Sequence, residues 1–225
     1  YIVIEAKGVH AIESYLLTRS LMYNDVYYHK TTRCVEMIVK NIFRRVLELS
    51  KEKKIDLPTQ LSFITEERKI NSIDLTDLDD YYIYSKISEW SKYKDKILSE
   101  LCQRIINRNL FKSIESNKGS EPFIRRIDDI IRIYKKNGYE EEQIEYNYSI
   151  DSPQNRPYNP IKSITKREDV EQSLKENIYV KTKDGDCKEI SEVSPVIRAL
   201  NNLSGVSRLY VPSKVYPEIQ GLLEN

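Results

Sequence analysis

The sequence predicts a mainly α-helical fold followed by a smaller α+β region. Apolar residues recur every three or four positions to about residue 115, and Pro122 then opens a different section. Beyond it, short alternating runs and Asn-Gly and Asp-Gly pairs indicate brief strands and turns. We therefore expect two regions, a helical one at residues 1–115 and an α+β one at residues 116–225.

The helical region divides into several predicted helices. A stretch from about Val9 to Lys54 carries apolar residues at helical spacing without Pro or Gly, and its length favours a break between residues 20 and 32. Pro58 marks a loop or short helix. The run from Leu78 to Asn109 predicts two more helices, with Asp77 or Asp79 as the N-cap of the first.

The second region mixes helices and strands. "FIRRIDDIIRIYKK" predicts an amphipathic helix that ends at Asn137-Gly138, and "QIEYNYSID" alternates like a strand. A loop rich in Pro and Asn at residues 153–160 follows. "NIYVKTKDGDCKEI" predicts a hairpin around Asp184-Gly185. "SPVIRALNNLSG" predicts a short helix that begins near Pro195 and ends before Gly205, and "SRLYVPSKV" predicts a closing strand.

Composition limits the classes of partner. Thirty-six basic and thirty-five acidic residues leave a formal net charge of +1, so affinity for anions must come from local clusters. This balance argues against a nucleic-acid-binding protein. No apolar run approaches the ~20 residues of a membrane span. We therefore expect no membrane partner.

The cysteines and the start of the chain indicate its setting. Cys34, Cys102 and Cys187 are an odd number without a CxxC pair, which favours reduced thiols in a cytoplasmic protein. The sequence opens on "YIVIEAKG" without a starting Met and without the pattern of a signal peptide. These features predict a fragment of a longer chain.

Known catalytic motifs are absent from the sequence. His10 and His29 are the only histidines, and neither belongs to an HExxH, HxH or His-Asp pair. The sequence also has no GxxxxGK[ST] and no GxGxxG loop. A histidine-based metal site therefore cannot be assembled from these residues.

Two clusters are candidates for binding an anion. Arg19, Tyr23 and Tyr27 lie four residues apart and share one helical face, which suits a phosphorylated ligand whose sugar or base packs on tyrosine. Arg108 and Lys112 are also four apart, near the predicted helix end. The alternative for the first cluster is a helix surface on which Arg19 pairs with Glu13 or Asp25, and for the second a solvated basic end.

Four stretches in order resemble a known family. "AIESYLLTRSLMYNDVYYHKTTR", "LDDYYIYSKISEW", "IINRNLFKSI" and "ISEVSPVIRAL" resemble successive blocks of HD-domain deoxynucleoside triphosphate triphosphohydrolases. The resemblance implies that residues 1–115 are the last helices of an HD-type catalytic domain. It also implies that residues 116–225 form a regulatory or oligomerisation region.

The resemblance also implies roles for individual residues. Arg19 matches an arginine that binds substrate phosphates, Tyr27 a tyrosine that packs on the deoxyribose, and Tyr23 a position that is histidine in a human member of the family. Lys30, Arg108 and Lys112 match basic residues that hold an activating nucleotide, GTP or a dNTP, at a subunit interface. A homo-oligomer, dimer or tetramer, is implied.

In members of this family, the catalytic half of the protein lies upstream of these blocks. Its divalent metal is held there by histidines and aspartates, so the resemblance implies that this chain binds no metal and is inactive alone. Two rivals stay open. The chain is a non-enzymatic nucleotide-binding regulatory or oligomerisation module, or, less in keeping with its charge, a nucleic-acid-binding protein.

Overall fold

The computed structural model describes residues 2–57, 60–61, 76, 78–153, 158, 177–182, 184–200 and 206–224. The predictions for Pro58 and Asp77, and for most of the loop at residues 153–160, lie outside these residues. So does the predicted end of a helix before Gly205. In chain order the elements are β1 (Ile2–Glu5), α1 (Val9–Met22), α2 (Lys30–Lys51), α3 (Asp80–Trp90), α4 (Lys96–Ile106), β2 (Lys112–Ser116), α5 (Glu121–Arg125), α6 (Ile127–Lys136), α7 (Glu141–Asn147), β3 (Ser149–Asp151), β4 (Ile178–Lys181), β5 (Cys187–Glu189), α8 (Ile190–Val193), α9 (Pro195–Leu200), β6 (Ser207–Val211) and α10 (Tyr216–Glu224).

The chain divides into two compact units. The first comprises Tyr1–His29 and Ser152–Val206, and the second comprises Lys30–Asp151 and Ser207–Asn225. This division differs from the expected one at residue 115, because strands from distant parts of the sequence complete each unit. The predicted fold class, mainly helical with a smaller α+β part, is confirmed.

The first unit is a three-stranded sheet with helices. Its strand order is β1-β4-β5, in which β1 pairs parallel with β4 and β4 pairs antiparallel with β5. The predicted hairpin is confirmed, and Gly185 supplies the positive φ of +92° that its turn needs. The core packs α1 against this sheet and the short helices; its buried members are Val9, Leu16, Tyr158, Val180, Ile190, Ile197 and Leu200.

A side-chain hydrogen bond fixes α1 in the first unit. The Ser194 hydroxyl donates to a carboxylate oxygen of Glu13 at 2.6 Å and accepts from the backbone N–H of Ile197 at 3.1 Å. Ser194 therefore links α1 to α9 and satisfies an N–H group in the first turn of α9. The pKa of Glu13 is lowered, mainly by the Ser194 hydrogen bond and then by His10.

The second unit is built around the long helix α2. Its buried face packs on α4, and the hydrophobic core includes Ile38, Ile42, Leu98 and Leu101. A second three-stranded sheet, with the order β2-β6-β3, is antiparallel throughout. The segment predicted as a closing strand is therefore the central strand of this sheet.

Local capping chemistry explains which helix predictions held. Asp79 caps α3 by accepting the N–H of Tyr82 at 2.7 Å, as predicted. The helix over residues 127–136 ends at Asn137-Gly138, where Gly138 has φ +82°. The predicted strand "QIEYNYSID" is wrong in its first half. A capping box between Glu140 and Gln143 starts helix α7, and only Ser149–Asp151 forms a strand.

Arg45 joins three elements of the second unit. Its side chain on α2, only 8% exposed, donates two hydrogen bonds to the Asp95 carboxylate at 3.1 and 2.7 Å and one to Glu142 on α7. Asp95 also accepts the N–H of Leu98 at 2.9 Å and so caps α4. Burial would raise the pKa of Asp95, but the hydrogen bonds from Arg45 and Leu98 outweigh it and hold the pKa below its usual value.

The Asp95→Asn variant tests this ion pair, because Asn still caps a helix but carries no charge. We expect a loss of about 2 kcal/mol in the free energy of unfolding at pH 7. Since the folded pKa is depressed, the contribution is complete above the unfolded pKa of about 3.9 and is lost as the pH falls through the folded pKa. The difference in the free energy of unfolding between wild type and Asp95→Asn should therefore become smaller below pH 4. Urea denaturation measures it.

The control is Asp56→Asn, which removes one exposed carboxylate. The free energy of unfolding of Asp56→Asn should equal that of wild type at pH 7 and also below pH 4. Equal stability of wild type and Asp95→Asn at pH 7 would contradict the proposed contribution of the ion pair.

Candidate functional site

The first candidate cluster lies in the first unit, where α1 ends. It consists of Arg19, Tyr23 and Tyr27, and we call it the Arg19 cluster. A π-helical turn at Tyr23–Tyr27 follows α1, and the N–H of Tyr28 donates to the carbonyl of Tyr23 at 2.8 Å. This is the break predicted between residues 20 and 32. π-Helical turns are rare and occur frequently at functional sites.

The side chains of the Arg19 cluster contact one another in a row. Arg19 Nη2 donates to the Tyr23 hydroxyl at 3.2 Å, and its guanidinium carbon lies 4.9 Å from the centre of the Tyr23 ring. The Tyr23 and Tyr27 rings are 5.0 Å apart at a tilt of 38°, and Tyr27 is 52% exposed. The structure thus brings the three predicted residues together and leaves Tyr27 open to solvent.

The acidic residues near Arg19 do not neutralise it. Glu13, one proposed partner, instead forms hydrogen bonds with His10 and Ser194. Within the described part of the chain, Arg19 forms no ion pair with a carboxylate. The guanidinium keeps donors that an anion can use.

A second candidate site is a cavity in the second unit. It has a volume of about 340 Å³, which lies at the lower end of the range for small-molecule sites. The three cations that were predicted from the resemblance, Lys30, Arg108 and Lys112, all line it. The other lining residues are Thr31, Cys34, Leu110, Phe111, Ser113, Tyr210 and Tyr216.

Three different elements supply the cations. Lys30 is the first residue of α2, Arg108 follows the end of α4, and Lys112 is the first residue of β2. Arg108 and Lys112 are therefore not neighbours on a helix. No carboxylate among the described residues pairs with any of the three, and three cations around one cavity favour a bound anion, because their mutual repulsion is otherwise uncompensated.

The backbone at Arg108 is unusual for an arginine. Its φ is +53°, in the left-handed region that favours glycine. The N–H of Arg108 donates to Ile105 at 3.2 Å and that of Asn109 to Arg104 at 2.9 Å, which is a C-terminal capping pattern that glycine serves best. Arginine thus occupies a glycine position at the cavity, and such placements cluster at binding sites.

Two of the side chains that line the cavity carry no charge at pH 7. The Tyr210 side chain is fully buried, and its hydroxyl oxygen meets no hydrogen-bond partner in the described part of the chain. Burial raises the pKa of Tyr210 to about 12, although Arg208 acts in the opposite direction. Burial also raises the pKa of Cys34 to about 11, and its thiol donates to the carbonyl of Phe111. Both groups are neutral at pH 7.

A partly buried ion pair lies near the same elements. Arg33, one turn after Lys30, donates to both carboxylate oxygens of Asp151 at 2.9 and 2.6 Å. Asp151 is opposite Arg208 in the register of β3 and β6. This pair joins the start of α2 to the sheet whose strands β2 and β6 line the cavity.

Sequence reasoning missed several of these residues. Ser113 and Tyr210 come to the cavity through the pairing of β2 with β6, which no local pattern reveals, and Tyr216 is the first residue of α10, which follows β6. Thr31 and Phe111, next to predicted cations, were within reach of the sequence. The pair of Arg33 and Asp151 joins positions 118 residues apart.

The described residues contain no cluster of three or more His, Cys, Asp or Glu side chains able to hold a metal ion. No helix among the described residues has the length and apolar character to cross a membrane.

Comparisons with known proteins identify a family and a fold. The family model described as "HD associated region" matches residues 1–216. Protein YwfO of Bacillus subtilis is 30% identical over 213 residues, which are 94% of this chain and 47% of YwfO. A protein of Methanocaldococcus jannaschii is 32% identical over 108 residues, 48% of this chain and 18% of that protein.

Two crystal structures share the fold. A phosphohydrolase from Bacteroides thetaiotaomicron has a TM-score of 0.69 and 28% identity over 93% of this chain and 51% of its own. A protein from Aquifex aeolicus has a TM-score of 0.58 at 21% identity, over 98% of this chain and 47% of its own, and shows the fold alone.

The chain spans about half the length of YwfO and of both solved proteins. One of these relatives is a phosphohydrolase, and the family match covers nearly every position from the first residue. The chain belongs to the HD associated region family.

Proposed function

We propose that this chain is part of a metal-dependent HD-type phosphohydrolase that hydrolyses dNTPs to deoxynucleoside and triphosphate. The chain contributes two binding sites. Arg19, Tyr23 and Tyr27 contact the phosphates and sugar of the substrate, and Lys30, Arg108 and Lys112 hold a regulatory nucleotide, GTP or a dNTP, in the cavity. The metal belongs to a part of the enzyme outside this chain, so the chain by itself is expected to hydrolyse nothing.

The observation that carries the proposal is the set of three cations around one cavity without a described carboxylate partner. A polyphosphate offers several negative oxygens to such a set, and Lys and Arg both bind phosphate well. The placement of Arg108 in a conformation that favours glycine supports it further. A purely structural cap would be served better by glycine.

The substrate role of the Arg19 cluster rests on its geometry. A row of a guanidinium and two tyrosine rings matches the order of phosphate, sugar and base in a nucleotide, and its last ring is exposed. When bound in the part of the enzyme outside this chain, the metal would polarise the reacting phosphate. Arg19 would hold the charge of the triphosphate, and Tyr27 would pack on the sugar where a 2′-hydroxyl would crowd it.

A non-enzymatic nucleotide-binding module is the second candidate. It is favoured by the fact that the whole cation cavity lies within one compact unit of this chain. Such a module would bind nucleotide without any need for the Arg19 cluster. In the proposed homo-oligomer, a dimer or a tetramer, the region around this cavity also forms the interface between subunits.

The Arg19→Ala variant of the longer, metal-containing enzyme tests the substrate site. We expect kcat/KM for dNTPs to fall by about 100-fold, because a charged donor to the phosphates is lost in the transition state. Steady-state release of triphosphate measures it. Arg125→Ala removes an exposed arginine that pairs with Glu121 and serves as the control. Unchanged kcat/KM in Arg19→Ala would exclude the substrate role.

The Arg108→Gly variant of this chain tests the cavity. Glycine relieves about 1 kcal/mol of left-handed strain but adds freedom to the unfolded chain, so the melting temperature should not fall. Affinity for inorganic tripolyphosphate should drop by about tenfold or more, as about 1.4 kcal/mol of lost interaction implies. Titration calorimetry and thermal unfolding measure the two effects.

Lys53→Gly is the matched control, because Lys53 is exposed and has φ +55° in a similar turn after α2. It should have the same effect on stability and none on tripolyphosphate binding. Equal affinity of wild type and Arg108→Gly would remove Arg108 from the site. Absence of binding in wild type would overturn the proposed cavity role.

A further inference from the structure

The cavity of the second unit has an exposed mouth and a buried inner end. The three cations that line it are exposed side chains and stand at the mouth. Three other lining residues are almost fully buried and form what we call the inner end; they are Cys34, Phe111 and Tyr210. A charged group that enters the inner end leaves water, so it needs hydrogen-bond partners there.

Tyr210 supplies such a partner. Its side chain is fully buried, and its hydroxyl oxygen meets no hydrogen-bond partner in the described part of the chain. An unpaired buried hydroxyl is destabilising, and most buried polar side chains are paired. Because burial raises the pKa of Tyr210 to about 12, the hydroxyl keeps its proton at pH 7 and can donate it.

Two other buried tyrosines of this unit show how a structural hydroxyl is satisfied. Tyr134 donates to the backbone carbonyl of Asn147 at 2.6 Å, and Tyr146 donates to the carboxylate of Glu48. Both side chains are as deeply buried as that of Tyr210. Of these three tyrosines, Tyr210 is the one that lines the cavity. We therefore expect the partner of its hydroxyl to come from a bound ligand.

The start of helix α2 lies at the same cavity. Lys30, Thr31 and Cys34 are the first, second and fifth residues of this 22-residue helix, and all three line the cavity. The N-terminus of a helix carries partial positive charge and directs backbone N–H groups out of its end. It therefore attracts anions, phosphate groups in particular.

The charges in the first turn of α2 are opposite to those that a helix start prefers. Acidic side chains stabilise a helix N-terminus, and cations destabilise it. The first turn of α2 has no acidic residue, and its sequence, Lys-Thr-Thr-Arg, has a cation at each end. Arg33 pairs with Asp151, whereas no described carboxylate pairs with Lys30. An anion in the cavity would compensate both Lys30 and the helix start.

Resting on the proposed function, we propose that Tyr210 and the first turn of α2 form a phosphate subsite at the inner end of the cavity. The Tyr210 hydroxyl donates a hydrogen bond to a phosphate oxygen that the helix N-terminus also attracts, and the three cations hold the other phosphates at the mouth. A hydrogen bond to an anionic oxygen is about twice as strong as one between neutral groups. The subsite therefore favours a phosphate at the inner end over an uncharged nucleoside.

Tyr210→Phe tests the hydroxyl in this chain. Affinities for inorganic tripolyphosphate and for GTP should each fall by about tenfold, because one hydrogen bond to a charged group is lost. The melting temperature should not fall, since the hydroxyl has no described partner to lose. Tyr134→Phe is the matched control. It removes a paired hydroxyl, so it should lower the melting temperature and leave both affinities unchanged.

Thr31→Glu tests the helix start, with Thr32→Glu as its control. Both residues are exposed in the first turn of α2, but of the two only Thr31 lines the cavity. A carboxylate at either position suits a helix N-terminus, so neither change should lower the melting temperature. Thr31→Glu should weaken tripolyphosphate binding by about tenfold or more, because like charges repel. Thr32→Glu should weaken it clearly less.

Titration calorimetry and thermal unfolding separate this subsite from the proposed function. Absence of binding in wild type overturns both. If Arg108→Gly weakens binding but Tyr210→Phe does not, the subsite is overturned and the role of the cations stands. Binding of tripolyphosphate without GTP, if Tyr210→Phe weakens it, supports the subsite and overturns the regulatory nucleotide.

Three further results would contradict the subsite. If Tyr210→Phe weakens GTP binding alone, the hydroxyl contacts the nucleoside and not a phosphate. A melting temperature that falls as far as in Tyr134→Phe means that the Tyr210 hydroxyl is already paired within the protein. Equal loss of affinity in Thr31→Glu and Thr32→Glu removes the start of α2 from the subsite.

Discussion

The second unit depends on a single guanidinium. Arg45 lies on α2 but binds the residue that caps α4 and a carboxylate of α7, so its position fixes where three helices meet. The cavity is a consequence of that arrangement. Its cations stand at the start of α2, after the end of α4 and at the start of β2, and a shift of any helix along its axis would separate them. A buried guanidinium with three carboxylate partners is costly to rearrange, because each lost partner leaves part of its charge unpaired and out of contact with water.

Short-range chemistry made much of the fold predictable. Asp79 as a cap, Asn137-Gly138 as a helix end and Asp184-Gly185 as a turn depend on neighbours within a few residues, and the structure has all three. "QIEYNYSID" misled because its alternation of apolar residues also fits a helix of two turns. The capping box that decides between them was present in the sequence at Glu140 and Gln143.

The candidate site was less accessible from the residues alone. Helical spacing predicted the contact of Arg19 with Tyr23, since both lie on one continuous helical stretch. The resemblance to a family grouped Lys30, Arg108 and Lys112, whereas their spacing did not. They lie at a helix start, in a turn and in a strand, so no single sequence periodicity relates them. Tyr210 and the pair of Arg33 and Asp151 depend on strand register across the chain, which the sequence does not encode locally.

The strand orders also govern how the protein acquires its structure during synthesis. β1 comes before β4 with most of this sequence between them, and β2 and β3 are both bridged by β6, which follows them along the chain. A nascent chain that stops before residue 178 has neither sheet in its final order, although the helices around Arg45 are already complete. The helices around Arg45 can therefore form before either sheet, and the long-range strand pairings are the slow step because closing large loops costs entropy. Until then the edges of β1 and β2 stay open to other chains, which makes this the interval in which a chaperone would matter most.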